Sequence, residues 1–319
     1  MVYISGHSRR HSQQAQARPP SGLGANRPKR KAICGHVVLG ALTASLLMLS
    51  GCSTIQVAYN QAPNLSYWWL DGYFDFSKPQ TVVVKSGLAK LHAWHREQEL
   101  PAYADLLARM QKVVEGPITP QQACDISEQI QAAAKRLLVQ SADTLADWAP
   151  TLQPEQLSTL AKEFENDNRK WRKQWLDGPA ADLAKLRLKK TVDRFEDFYG
   201  RLEEPQLKVL RQSISTSPFD PRLAWIERQR RQQDMLTTLG EHAGSGNRAS
   251  HVKTEMLALL VRSQESPDPV YKARVELWQA HACRTLAEMH NSTSAEQRQT
   301  LVANLNQYEQ DARMLVKGK

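Results

Sequence analysis

Beyond about residue 66, apolar positions recur at intervals of three and four. Leu88, Leu91 and Trp94 form one such set, and Leu183, Leu186, Val192, Phe195 and Phe198 another. This spacing places one apolar stripe on each helix, so the chain reads as helix upon helix. The pattern predicts helices over 78–98, 101–115, 120–147, 154–176, 179–199, 205–215, 220–240, 249–263, 268–290 and 294–316. Val82-Val83-Val84 is the only β-branched cluster, too short to stand as a sheet. The expected fold class is all-α.

Helix starts carry a recurrent signature. Ser77-Lys78-Pro79-Gln80, Thr119-Pro120-Gln121-Gln122, Gln153-Pro154-Glu155-Gln156, Glu204-Pro205-Gln206 and Ser294-Ala295-Glu296-Gln297 all open apolar-periodic runs. Proline suits the first turn, where its missing N–H has no intrahelical partner, and Glu or Gln there answers free backbone donors. The intervals are irregular, so no solenoid repeat is assigned. Asp177-Gly178-Pro179 and Ser217-Pro218-Phe219-Asp220-Pro221 are turns.

The N-terminal region breaks the helical pattern. Residues 1–31 are polar and basic, and Lys29-Arg30-Lys31 precedes an apolar run from Ala32 to Leu49. That run suits a signal sequence better than a membrane span of about 20 residues. It ends in Leu49-Ser50-Gly51-Cys52, the pattern of a lipobox. The expectation is cleavage between Gly51 and Cys52, with acyl chains such as palmitate on Cys52. One saturated chain holds a protein only marginally, so a lipoprotein carries more than one. Ser53, where an Asp would resemble an inner-membrane retention signal, favours the periplasmic face of the outer membrane over the inner membrane. The implied division is a leader at 1–51, a lipidated tether at 52–66, a helical domain at 67–239, a flexible loop at 240–250 and a C-terminal helical hairpin at 251–319 packed on the same domain.

Charge changes meaning once the leader is set aside. The whole chain carries +9, but the leader holds seven Lys and Arg and no acid. The remainder has 35 basic against 33 acidic residues, too balanced for a nucleic-acid partner. Arg169-Lys170-Trp171-Arg172-Lys173-Gln174-Trp175 places both tryptophans on one helix face with the charges elsewhere, an amphipathic helix.

Two cysteines remain beyond the lipid site, Cys124 and Cys283. In an oxidising compartment they are expected to be bridged, with separate buried thiols as the alternative. His92, His95 and Glu99 share a helix face at metal-ligand spacing but lack a second ligand set, so a polar helix face is the favoured reading. No catalytic residue, cofactor or metal is assigned. The aromatic cluster Tyr67, Trp68, Trp69, Tyr73, Phe74 and Phe76 is expected to cap the core rather than dip into a membrane, since Asp71 and Asp75 interrupt it.

With these residues in view, the chain resembles an uncharacterised family of proteobacterial predicted lipoproteins. The resemblance runs through Ala58-Tyr59-Asn60, Trp68 to Asp75, Trp94-His95-Arg96 with Glu99-Leu100-Pro101, Trp171 to Gly178, Phe198 to Leu202, Ser217 to Pro221, and His290 to Thr293 ahead of Glu296-Gln297-Arg298. It implies a lipoprotein and a helical fold, with no activity attached. The Pro-Glu-Gln starts are also similar to those of small helical periplasmic chaperones with a Leu-Thr-x-x-Gln motif. The functional expectation is a non-enzymatic, membrane-anchored module that binds proteins or other envelope components. The alternative is an envelope hydrolase or metal-dependent enzyme using the His92, His95 and Glu99 face.

Overall fold

The computed structural model describes residues 54–244 and 249–318; the leader, Gly51 and Cys52 lie outside the described residues. Among the described residues the regular structure is helical, with no strand. The order is α1 (Thr54–Asn60), α2 (Ala62–Phe74), α3 (Lys78–Trp94), a π-helical turn (His95–Glu99), α4 (Leu100–Val113), α5 (Pro120–Trp148) and a 3₁₀ turn (Ala149–Thr151). There follow α6 (Pro154–Trp175), α7 (Ala180–Tyr199), α8 (Glu204–Thr216), α9 (Pro221–His242), α10 (Ala249–Gln264), α11 (Pro269–Asn291) and α12 (Ala295–Val316). From Thr54 onward the chain is a single compact unit.

Three departures from the expected elements have physical causes. The stretch read as a tether, 52–66, is helical from Thr54. Helices this short are marginal alone, and α1 is held by tertiary bonds: buried Gln56 donates to Asp311 Oδ1 of α12 at 2.8 Å. The expected break near 99–101 is a continuous helix instead. Pro101 supplies no N–H and crowds the carbonyl four residues back. The turn before it opens to π spacing, with Leu100 N–H reaching His95 O. The loop expected at 240–250 is shorter, because α9 runs through Gly240 to His242.

The helix starts do more than begin helices. At α3, α5, α6, α8 and α12 the third residue is a glutamine whose Oε1 accepts the N-cap N–H, at 2.7–3.0 Å. Four of these glutamines, Gln80, Gln156, Gln206 and Gln297, are buried. Each also sends its Nε2 to a carbonyl at the start of another helix. Gln80 donates to Thr151 O, just before α6, and Gln156 to Phe74 O, just before α3, both at 2.8 Å. Gln206 donates to Ser292 O, just before α12, and Gln297 to Arg201 O, just before α8. Two reciprocal clasps result, α3 with α6 and α8 with α12. Every such start is preceded by a buried residue (Phe76, Leu152, Leu202, Thr293) and followed four positions later by another (Val84, Leu160, Leu210, Leu301).

The clasps sit over two apolar clusters. One joins Phe74, Phe76, Val84, Leu88, Trp148, Leu160, Leu239 and Met256; the other joins Val114, Tyr199, Leu210, Met289, Leu301 and Leu305. α5, roughly 44 Å long at 1.5 Å per residue, runs from beside the second to the first, where Trp148 is buried. The three C-terminal helices are distributed over the body. α10 and α11 lie on α5, while α12 packs along α4.

Candidate functional site

The His92, His95 and Glu99 face meets α1. Tyr59 lies between the two imidazoles, with ring centroids 4.6 Å from His92 and 5.7 Å from His95. His92 Nε2 donates to Tyr59 O at 3.0 Å, and the Tyr59 hydroxyl lies 2.9 Å from His95 Nδ1. Arg96 crosses the Tyr59 ring and donates to Asn60 Oδ1 at 2.6 Å. Two stretches of the family resemblance, Ala58-Tyr59-Asn60 and Trp94-His95-Arg96, are thus brought together.

Glu99 departs from the shared face. The π turn changes the phase between His95 and Glu99, and Glu99 is buried against α5. Both its oxygens take a bidentate pair from Arg136, at 2.7 and 2.8 Å. Burial lowers the pKa of His92, with the Arg96 charge adding to it, and burial lowers that of His95 despite Glu99. Burial likewise raises the Tyr59 and Tyr103 phenols. The group is a set of neutral rings pinning α1 to the α3–α4 joint. Tyr59 occupies one nitrogen of each histidine, and Arg136 occupies both oxygens of the carboxylate. Among the described residues, no group of three His, Cys, Asp or Glu is arranged to hold a metal ion.

Cys124 and Cys283 form a disulfide, with Cα atoms 5.3 Å apart and 159 residues of separation. It ties the start of α5 to α11, beside buried Ile118, Ala123 and Ala287. Close by, the His290-Asn291-Ser292-Thr293 turn is a latch. His290, fully buried, donates from Nε2 to Gly116 O at 2.9 Å, while Nδ1 lies 3.0 Å from the Tyr199 hydroxyl. That is a satisfied neutral imidazole, and burial lowers its pKa accordingly. Asn291 exchanges two hydrogen bonds with the backbone of Ile118, at 2.8 and 2.9 Å.

Two carboxylates of α9, Glu227 and Asp234, are matched by guanidinium groups. Burial raises the Glu227 carboxyl, but bonds from Arg230, Arg231 and Ser266 outweigh it and hold the group below the ordinary carboxylate range. Arg262 bonds do the same for Asp234, against burial. This network joins α9 to α10 and the turn after it. Trp171 and Trp175 are half-buried neighbours, as the amphipathic pattern predicts. They continue into Trp225, Phe219 and Trp278, an aromatic row linking α6, α9 and α11. Of the basic residues around them, Lys170 is engaged with Asp167 and Arg172 with Asp177. Among the described residues, open hollows lie between the body's helices. One of about 250 Å³ lies between α3 and α5 beside Gly87, Asp143 and Asp147; one of about 520 Å³ lies between α4 and α12 beside Glu115, Arg298 and Asn306. Neither gathers the nucleophile, base and anion-binding donors that acyl or phosphoryl transfer requires.

The histidine pattern was visible in the sequence, but its partner was not: nothing in a seven-residue segment announces that Tyr59 folds back onto residues 33 and 36 positions away. Chemically, the arrangement defines a disulfide-linked, all-helical domain whose polar clusters fasten helices to one another. The chain belongs to DUF6279, a family of unknown function whose model matches residues 72–272. That span includes the histidine pair and the aromatic row as far as Trp225, but not Trp278, α1 or α12. No curated protein and no solved structure matches the chain.

Proposed function

We propose that this protein is a lipid-anchored envelope protein, carried on the periplasmic face of the outer membrane, that acts by binding rather than by catalysis. The observation that carries the anchor is Leu49-Ser50-Gly51-Cys52 at the end of a basic-then-apolar leader, directly ahead of a folded unit that begins at Thr54. The Cys124–Cys283 bridge supports an oxidising compartment. Among the described residues no helix is long and apolar enough to cross a membrane.

The binding role is supported by what the polar clusters do. His92 and His290 are bonded to backbone carbonyls, His95 lies against the Tyr59 hydroxyl, and Glu99, Glu227 and Asp234 are bonded to arginines. The metal-dependent alternative would need Glu99 released from Arg136, which takes both its oxygens. The binding partner would be an envelope protein or another envelope component.

Mass spectrometry of the mature N-terminal peptide tests the anchor. A diacylglycerol and a further acyl chain on Cys52 are expected, and an unmodified Cys52 with residues 1–51 still attached would overturn it. Cross-linking in intact cells followed by isolation of the anchored protein tests the binding role. A specific envelope partner is expected; recovery of the protein alone would sink that part.

A further inference from the structure

The aromatic cluster expected to cap the core divides in two. Tyr67, Leu70, Tyr73, Phe74 and Phe76 pack inward. Trp68 and Trp69 do not: they are 73% and 57% exposed, with Leu65 at 54%. At about 100° per residue, Leu65, Trp68, Trp69 and Gly72 fall in one sector of α2, opposite Leu70 and Phe74. Leaving two indoles and a leucine in water forgoes the hydrophobic gain that covering them would bring. Single exposed apolar residues are ordinary, but a clustered apolar face marks a contact surface.

We propose that this face of α2, with the lysines of α3 beside it, rests on the headgroup region of an anionic phospholipid bilayer. The proposal builds on the acyl anchor at Cys52 and goes beyond it by assigning the surface that turns toward the membrane. Four observations select a bilayer as the occupant. First, Thr54 follows Cys52 by two residues, a reach of about 7 Å at full extension, so an anchored chain holds the start of α1, and α2 that follows it, near the lipid. Second, residues 54–70 contain no charged side chain. Third, the residues from Phe76 to Arg96 contain Lys78, Lys85, Lys90 and Arg96 and no acid. Lys85 Nζ lies 4.5 Å above the Tyr67 ring, which sets an ammonium group directly beside α2. Fourth, tryptophan is the side chain that favours the boundary between acyl chains and headgroups.

The two acids of the cluster fit a shallow contact. Asp71 is turned inward, accepting from the Tyr67 hydroxyl at 3.2 Å and from Phe76 N–H at 3.0 Å. Asp75 lies past the end of the helix. The outward sector between Gln61 and Gly72 therefore carries no charge into the interface. Its direction is fixed, because Tyr67 is bonded to Thr81 of α3 at 2.9 Å and Tyr73 to Asp167 of α6 at 2.5 Å. Exposed Val82 stands between Lys78 and Lys85 on α3.

The test uses the full chain isolated from bacterial membranes and reconstituted into vesicles of phosphatidylethanolamine and phosphatidylglycerol, with acyl chains brominated near the headgroup. Bromine quenches only indoles that reach the acyl boundary. The expected result is clear quenching of tryptophan emission, most of which is lost in the Trp68→Ser, Trp69→Ser double variant although six tryptophans remain. Both side chains are exposed, so helicity and the disulfide should be unchanged. A Lys78→Glu, Lys85→Glu variant should reduce quenching on anionic vesicles and not on phosphatidylcholine. Quenching that the tryptophan substitutions leave intact would overturn the proposal. So would its absence from a protein whose Cys52 is acylated, or a self-association that the double variant abolishes. An unacylated Cys52 with quenching that depends on Trp68 and Trp69 would leave the membrane surface standing and remove the anchor instead.

Discussion

Gln80 and Gln156 hold each other: each amide nitrogen lies 3.0 Å from the other's amide oxygen, across the starts of α3 and α6. Each amide oxygen also receives its own N-cap N–H, and each nitrogen reaches a carbonyl ahead of the partner helix. Glutamine is the residue that can do this, because it carries acceptor and donor on one planar group.

Glutamate at the same position keeps the acceptor and loses the donor. Gln156→Glu should therefore destabilise the protein by about 2–3 kcal/mol, since a buried carboxylate would face Phe74 O and Gln80 Oε1. Gln122→Glu is the control. That glutamine is exposed, and an acid in the first turn is favourable by about 0.3–1 kcal/mol. Urea unfolding of the two variants compares them; equal effects would show that the clasp contributes nothing.

Replacing both Cys124 and Cys283 by alanine should lower stability by about 2–5 kcal/mol, because the bridge closes a very long loop in the unfolded chain. Unfolding with and without reductant measures this. The double variant should match the reduced protein, and reductant should not affect it.

α3 and α5 approach closely at Gly87, where an added Cβ would lie 2.6 Å from Thr144 Cγ2. Gly87→Ala should cost about 1–3 kcal/mol through overpacking. Adding Thr144→Ser removes the clashing methyl and keeps the hydroxyl, so the double variant should recover most of the loss. A double variant no better than Gly87→Ala would place the strain elsewhere.

His92, His95 and His290 all have lowered pKa values, with burial the main cause. Below an ordinary value of about 6.5, the unfolded chain takes up protons that the folded chain refuses. Stability should therefore decline as pH falls from about 7 toward about 5, and level off once the folded imidazoles are protonated. Glu227 and Asp234 act lower down. Their lowered pKa values give stability that persists above the usual carboxylate range and is lost as pH falls through the folded values. Urea midpoints across this range, with imidazole resonances followed by NMR, test both steps; a midpoint flat between pH 7 and 5 would exclude the first.

The sequence revealed helix starts better than it revealed what those starts hold. Pro-Glu-Gln runs announce local capping, and the structure bears them out at α3, α5, α6, α8 and α12. The second bond of each buried glutamine joins residues from 71 to 96 positions apart, and local spacing carries no trace of it. The cysteine pair was legible because few cysteines remained to pair. α1 was missed because its apolar residues Ile55 and Val57 are exposed, and its order comes from Gln56 and Tyr59, whose partners are distant. The metal-spaced face at His92, His95 and Glu99 failed as a face because the period changes at the π turn, which responds to a proline two residues beyond Glu99.

The bond from Gln56 to Asp311 brings opposite ends of the folded unit into one seam. A bulky reporter fused just after Val316 would emerge beside the segment that follows Cys52, so on an anchored protein it would be crowded against the lipid. It could also pry α1 loose by disturbing Asp311. A reporter inserted between α9 and α10, remote in sequence from both ends, would spare that seam.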